Sequence, residues 1–130
     1  MKHILDGTRV LDFSHVLAGP TCTRLLVEMG AEVIKIELLP AGDITRVLPV
    51  MIDGRSGYYV QHNRGKKSVC LDHKDPRARA ALKELVKNSD ILVENYSVGV
   101  IARMGLGWDA VHELNPKLVM CSISAFGQEG

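Results

Sequence analysis

The residues with chemistry to offer stand in short polar clusters, each placed just after an apolar run. Ser14-His15-Val16-Leu17-Ala18-Gly19-Pro20 follows the first run. Its small residues would let a ligand approach the free N–H groups of a helix that starts there, and such groups favour anions. A plain strand-to-helix turn would have the same composition. His15 could contact a ligand, act as a general base or be a hydrogen-bonded loop histidine, and the last is the default without context. Glu37 leads into Gly42-Asp43 and Arg46. Asp72-His73-Lys74, Glu94-Asn95-Tyr96-Ser97 and Ala125-Phe126-Gly127-Gln128 close three later runs.

Asn63-Arg64-Gly65-Lys66-Lys67 is a compact basic run that could receive phosphates, with a solvated turn as the default reading. It is not a P-loop, because the required first glycine is replaced by Val60. Arg103, near the end of a short helix, could face a phosphate or simply the helix dipole. Gly105-Leu106-Gly107-Trp108-Asp109-Ala110 has dinucleotide-type spacing but no strand before it, so that motif is rejected. Asn95-Tyr96-Ser97 has the glycosylation spacing, which goes unused without a signal peptide. The five histidines, His3, His15, His62, His73 and His112, show no metal-type pairing.

The elements that must position these clusters alternate. Arg9–Phe13, Glu32–Glu37, Ser68–Leu71, Ile91–Glu94 and Leu118–Ser124 read as strands. Gly19-Pro20 opens a helix that Gly30 ends, with Cys22, Leu25, Leu26 and Met29 as its apolar stripe. Asp75-Pro76 opens another, with Ala78, Ala81, Leu82 and Leu85 as the stripe. Ser97 is the expected cap of a short helix ending at Gly105, and Trp108–Leu114 forms one more, stopped before Pro116. Leu38 to Gly57 is an irregular stretch, long enough to cover something, and Tyr58–Gln61 is ambiguous. Strands separated by helices predict an α/β fold: a Rossmann-like, doubly wound parallel sheet whose strand ends converge on one cleft.

The 130 residues suit one domain, and 46% apolar with 24% charged residues is the composition of an ordinary globule. A net charge of +1 excludes a surface devoted to nucleic acid. No apolar run is long enough to cross a bilayer. Cys22, Cys70 and Cys121 form no C-x-x-C pair and are expected to be free, buried thiols. No helix follows the last strand, although a parallel sheet needs both faces covered. The fold is therefore expected to be incomplete at the C-terminus, residues 1–130 being the N-terminal portion of a longer protein.

The same clusters carry a family resemblance. Leu5-Asp6-Gly7 through Leu11-Asp12-Phe13-Ser14-His15-Val16-Leu17-Ala18-Gly19-Pro20 resembles the opening of family III CoA-transferases, the group of formyl-CoA and carnitine CoA-transferases. The resemblance continues through Met29–Glu37, Gly42–Arg46, Asn63–Ser68, Leu71–Lys74, Val93–Tyr96, Arg103–Gly107 and Ser122–Gln128, in order. It implies an enzyme that moves CoA from an acyl-CoA thioester to a carboxylic acid, with an aspartate as nucleophile. By position it implies a coenzyme A site of His15, Val16, Leu17 and Ala18, with Leu71, Asp72, His73 and Lys74 flanking the adenosine end and Asn95, Tyr96 and Arg103 contacting the nucleotide and its phosphates. It also implies acyl-CoA and carboxylate substrates, a homodimer for the full-length family, and no metal, nucleic acid or membrane. The location it suggests is cytoplasmic, or mitochondrial in a eukaryote.

Leu17 stands where some formyl-CoA transferases have glutamine, which argues against formyl-CoA or oxalate as substrate, and Leu38 stands where they have arginine. None of Asp12, Asp43, Asp72, Asp75, Asp90 or Asp109 matches the catalytic aspartate, which lies beyond residue 130. The 130-residue chain is therefore expected to bind CoA but not to turn over. The alternatives are an acyl-CoA racemase of the same superfamily, a truncated CoA-binding protein without catalysis, and an α/β domain with no ligand.

Overall fold

A computed structural model describes residues 2–129. Seven strands and five helices run β1 (Arg9–Asp12), α1 (Ala18–Glu28), β2 (Glu32–Leu38), β3 (Met51–Ile52), β4 (Arg55–Ser56), α2 (Gly57–Asn63), β5 (Lys67–Leu71), α3 (Pro76–Lys87), β6 (Ile91–Glu94), α4 (Val100–Arg103), α5 (Trp108–Leu114) and β7 (Val119–Ser122). Five strands form a fully parallel sheet in the order β5-β2-β1-β6-β7. The chain thus winds outward from β1 to one side, then returns to β6 on the other. The order reverses between β1 and β6, and such a switch point opens a crevice at the carboxyl ends of the strands.

Side chains alternate across the sheet. Leu11, Phe13, Ile36 and Leu92 pack one face against Leu82 and Val86 of α3, Ile101 of α4 and Val111 of α5. Val10, Val33 and Val93 pack the other with Ala31 and, from α1, Leu26 and Val27. The doubly wound expectation is met. After β7 the chain runs from Ile123 to Glu129 without a further helix. No helix among the described residues is long and apolar enough to cross a membrane.

Several expectations need correction. In α1 the buried residues are Gly19, Pro20 and Thr23, while Leu25 and Met29 are 46% and 43% exposed. Thr23 holds a core position because its hydroxyl finds a buried carboxylate, that of Asp12. In α3, Leu82 and Val86 are buried and Ala81 is exposed, since Val86 completes the inward stripe one turn after Leu82. The short helix is entered through Gly99, in the left-handed region at φ 79°, and Ser97 supplies only its backbone carbonyl, to the N–H of Val100. The stretch after β2 is not structureless: it holds a 3-10 turn over Ile44–Val47 and the β3–β4 hairpin. Tyr58–Gln61 lies inside α2, capped by the Ser56 hydroxyl. The thiols are free, but none is buried: Cys22 and Cys121 are half-buried, and Cys70 is exposed on β5, an edge strand.

Candidate functional site

The loops after β1 and β6 meet at the switch point. Asn95 binds the His15 backbone twice: its Oδ1 accepts from the His15 N–H at 2.9 Å, and its Nδ2 donates to the His15 carbonyl at 2.9 Å. The His15 and Tyr96 rings lie 5.2 Å apart and tilted. Gly19 sits so close to Ser14 that an added Cβ would be 2.2 Å from the Ser14 Cβ, so glycine alone lets α1 begin here. Between them Val16 is held at φ 69°, a region that branched residues rarely occupy. No side chain caps α1, and its positive end faces the cleft beside the exposed Leu17 and Ala18.

Below this loop lie buried charges. Asp12 is fully buried; its Oδ2 accepts from Lys66 Nζ at 2.8 Å and Thr23 Oγ1 at 2.7 Å, and its Oδ1 accepts from the Ser14 N–H at 2.9 Å and from the Ser14 hydroxyl. Lys35, equally buried, donates to the Ser14 carbonyl at 2.6 Å and pairs with Asp43 at 2.8 Å. A third group centres on Glu37. Its carboxylate accepts from Arg46 Nε and Nη2, the Tyr59 hydroxyl and the Ser68 hydroxyl, each at 2.7 Å, and from the Asp43 N–H at 2.9 Å. Each of these three carboxylates is thus paired with a cation, as burial requires.

These contacts set the electrostatics. Burial alone would raise the Glu37 carboxyl, but Arg46, the Asp43 amide, Ser68 and Tyr59 outweigh it and hold it far below the usual carboxylate range. Asp43 behaves likewise: burial raises it, and the Lys35 ammonium and Thr45 pull it below its ordinary value. Burial lowers Lys66, with Asp12 opposing. The Tyr96 hydroxyl is pushed up to about 12 by burial and by the negative charge of Asp12, Glu94 and Asp43.

Two hollows flank Tyr96. A cavity of about 230 Å³ is walled by His15, Lys35, Glu37, Leu38, Asp43 and Tyr96, among others. A wider groove of about 730 Å³ runs past Ala18, Asn95, Tyr96 and Ser97 to the 123–129 segment. His15, Ala18, Asn95 and Tyr96 are thus brought together, with Val16 and Leu17 on the exposed loop between them. Leu71, Asp72, His73 and Lys74 lie apart, Leu71 at the end of β5 beside Leu38 in the sheet and the other three just after it. Arg103 lies apart too, on α4, where its guanidinium turns back to Gly99.

The basic run at 63–67 is not one solvated turn. Lys66 is interior, and Asn63, also buried, accepts from its ammonium at 2.9 Å. Glu37 is among the strand-end residues read from the sequence; Lys35 is not, though a signal exists: a lysine inside a strand buried on both faces must find internal partners.

The comparisons with known proteins agree on one family. The sequence profile of CoA-transferase family III matches residues 5–130. The chain is 47% identical over 128 residues to a formyl-CoA:oxalate CoA-transferase of Rhodopseudomonas palustris strain BisA53, and 45% identical to one of Afipia carboxidovorans. In both cases the match covers 98% of this chain and 30% of the relative. Its fold is similar to the crystal structure of Rv3272 from M. tuberculosis, at a TM-score of 0.90 and 37% identity, over 98% of this chain and 36% of that one. It is also similar to a CAIB/BAIF family protein from Brucella suis, at 0.92 and 34%, over 100% of this chain and 35% of that one. The chain belongs to CoA-transferase family III and spans about a third of the length of these relatives.

Proposed function

We propose that this chain is the CoA-holding part of a CoA-transferase that moves CoA from an acyl-CoA thioester to a carboxylic acid. The carrying observation is the junction of the two loops at the switch point, where Asn95 fixes the His15 backbone beside Tyr96. It lies at an uncapped helix end suited to an anionic ligand. On this reading His15, Val16, Leu17, Ala18, Asn95 and Tyr96 hold one part of the coenzyme. Leu71, Asp72, His73, Lys74 and Arg103 serve its nucleotide end. On the same reading the full-length protein works as a homodimer in the cytoplasm.

The chain alone performs no transfer. Asp12 and Asp43 are the buried aspartates nearest the cleft, and their carboxylates are engaged by Lys66, Thr23, Ser14, Lys35 and Thr45. Neither is free to attack a thioester. Leu17 argues for an acyl donor and acceptor other than formyl-CoA and oxalate.

Calorimetry of the folded chain with CoA tests the reading. Saturable binding is expected, and its absence in a chain with a native-like spectrum refutes it. Incubation with acyl-CoA donors and a panel of carboxylates is expected to yield no new thioester; turnover would refute the claim of inactivity.

A further inference from the structure

Most basic side chains of this protein are neutralised. Of 16 Lys and Arg, nine lie within 4.0 Å of a carboxylate among the described residues. Arg79, Lys83 and Arg103 do not, yet the three line one hollow of about 220 Å³ between α3 and α4. Its other walls are Leu82, Ala102, Met104, Gly105 and Leu106, none of them acidic. Arg79 and Lys83 are four residues apart on α3 and share a helix face. Arg103 comes from the opposite wall, its Nη1 so close to Gly99 that an added Cβ there would be 3.1 Å away.

Three cationic residues line this one hollow and no acidic residue does, a setting that favours an anion there. Arginine forks bind phosphate oxygens in pairs, and lysine adds a point charge. The hollow also lies on the ligand side of the sheet. Arg79 is in the first half of a helix that starts just past the carboxyl end of β5, and α4 follows the carboxyl end of β6. One contact ties it to the β5 loop: Arg79 Nη2 donates to the Lys74 carbonyl at 3.2 Å. Arg79 thereby links the Leu71–Lys74 loop to Arg103, two groups of expected site residues that otherwise lie apart.

We propose that Arg79 and Lys83, with Arg103, form a phosphate-binding cleft. On the reading given above, it takes a phosphate of the nucleotide end of CoA. Two phosphates of that end could fill it, the 3′-phosphate or the diphosphate bridge, and they share the same recognition chemistry.

Calorimetry at low salt with CoA, 3′-dephospho-CoA and adenosine 3′,5′-bisphosphate tests this on the whole chain. The variants are Arg79→Gln and Lys83→Gln, which keep a good helix former, and Lys117→Gln, an exposed lysine that lines no part of this hollow. Arg79→Gln and Lys83→Gln are each expected to weaken CoA about tenfold. Lys117→Gln should stay within about twofold of the unaltered chain. If the two α3 variants leave dephospho-CoA unaffected, the 3′-phosphate is the occupant; if they weaken it equally, the diphosphate is. Unchanged CoA binding in both α3 variants overturns the cleft. Should the unaltered chain not bind CoA, the functional reading fails, and adenosine 3′,5′-bisphosphate decides the cleft by itself: binding lost in the variants supports it, and no binding overturns it.

Discussion

The two flanks of β1 are built on different principles. Toward β2 and β5, the loops are held by interior charge: Asp12 with Lys66, Lys35 with Asp43, and Glu37 with Arg46. Toward β7, the segment after the sheet is held by little. Ile123 donates to the Glu94 carbonyl, Ser124 and Gly127 bond each other, and Phe126 is 97% exposed. An interior ion pair adds little net stability but is costly to break, and it works only in one geometry. The charged flank therefore ties the loops of the cleft to one arrangement of these ion pairs. The other flank provides one wall of a wide groove, in a chain a third as long as its relatives.

The largest way to break this contrast is to remove one side chain from each flank. Lys66→Met leaves the Asp12 carboxylate interior and without its cation. A loss of about 3–5 kcal/mol in urea unfolding is expected. Phe126→Ser on the open flank should change stability by no more than about 0.5 kcal/mol. The double variant Asp12→Asn/Lys66→Met should recover part of the first loss. A Lys66→Met loss no greater than that of Phe126→Ser would show that the pair does not lock the fold.

The same flank should give way first in acid. Glu37 and Asp43 are both held below the ordinary carboxylate range. A depressed carboxyl stabilises the fold above its unfolded value, about 4, and that contribution is lost as pH falls through the folded value. Stability should therefore decline below about pH 4, and Glu37→Gln should flatten that decline while lowering stability at pH 7. Melting curves across pH 7 to 3 measure both effects. An unaltered slope in Glu37→Gln would place the acid sensitivity elsewhere.

How far the sequence reveals this arrangement follows from the range of each contact. The strands, the helices and the strand-end clusters are legible because they depend on local pattern. Strand-end position brought His15, Asn95 and Tyr96 to notice. That Asn95 clasps His15 across 80 positions is not legible, because it depends on which strands become neighbours. Lys66 has the same difficulty: in sequence it is one cation in a basic run, and its partner Asp12 is 54 residues away. The apolar stripe of α1 misled for a related reason. Once Asp12 is interior, Thr23 is worth more than a leucine on the inward face, and Leu25 and Met29 turn outward.

A smaller effect sharpens how tightly the charged flank positions the first loop. Gly19→Ala would force a Cβ against the Ser14 Cβ, and Ser14 is fixed by Asp12 and Lys35. Neither side can yield easily, so a loss of about 1–3 kcal/mol is expected, as for overpacking elsewhere. Gly54→Ala, in a hairpin glycine at φ 72° with open space around it, measures the backbone cost alone. A crowding term exists only if Gly19→Ala costs more than Gly54→Ala. Equal costs would mean that the loop after β1 moves freely.

The smallest expected change is at Val16, and its sign tests whether the loop stores strain. A branched residue at φ 69° costs about 1–3 kcal/mol, which Val16→Gly would release. Glycine also loses about 0.5–1 kcal/mol through its freer unfolded chain. The side chain is 40% exposed, so little burial is at stake. The balance favours a gain of about 0–2 kcal/mol in stability. If the strained loop is what presents α1's open end to a ligand, that gain should come with weaker CoA binding in calorimetry. A stabilised variant that binds CoA as tightly as the unaltered chain would show that the strain at Val16 has no part in binding.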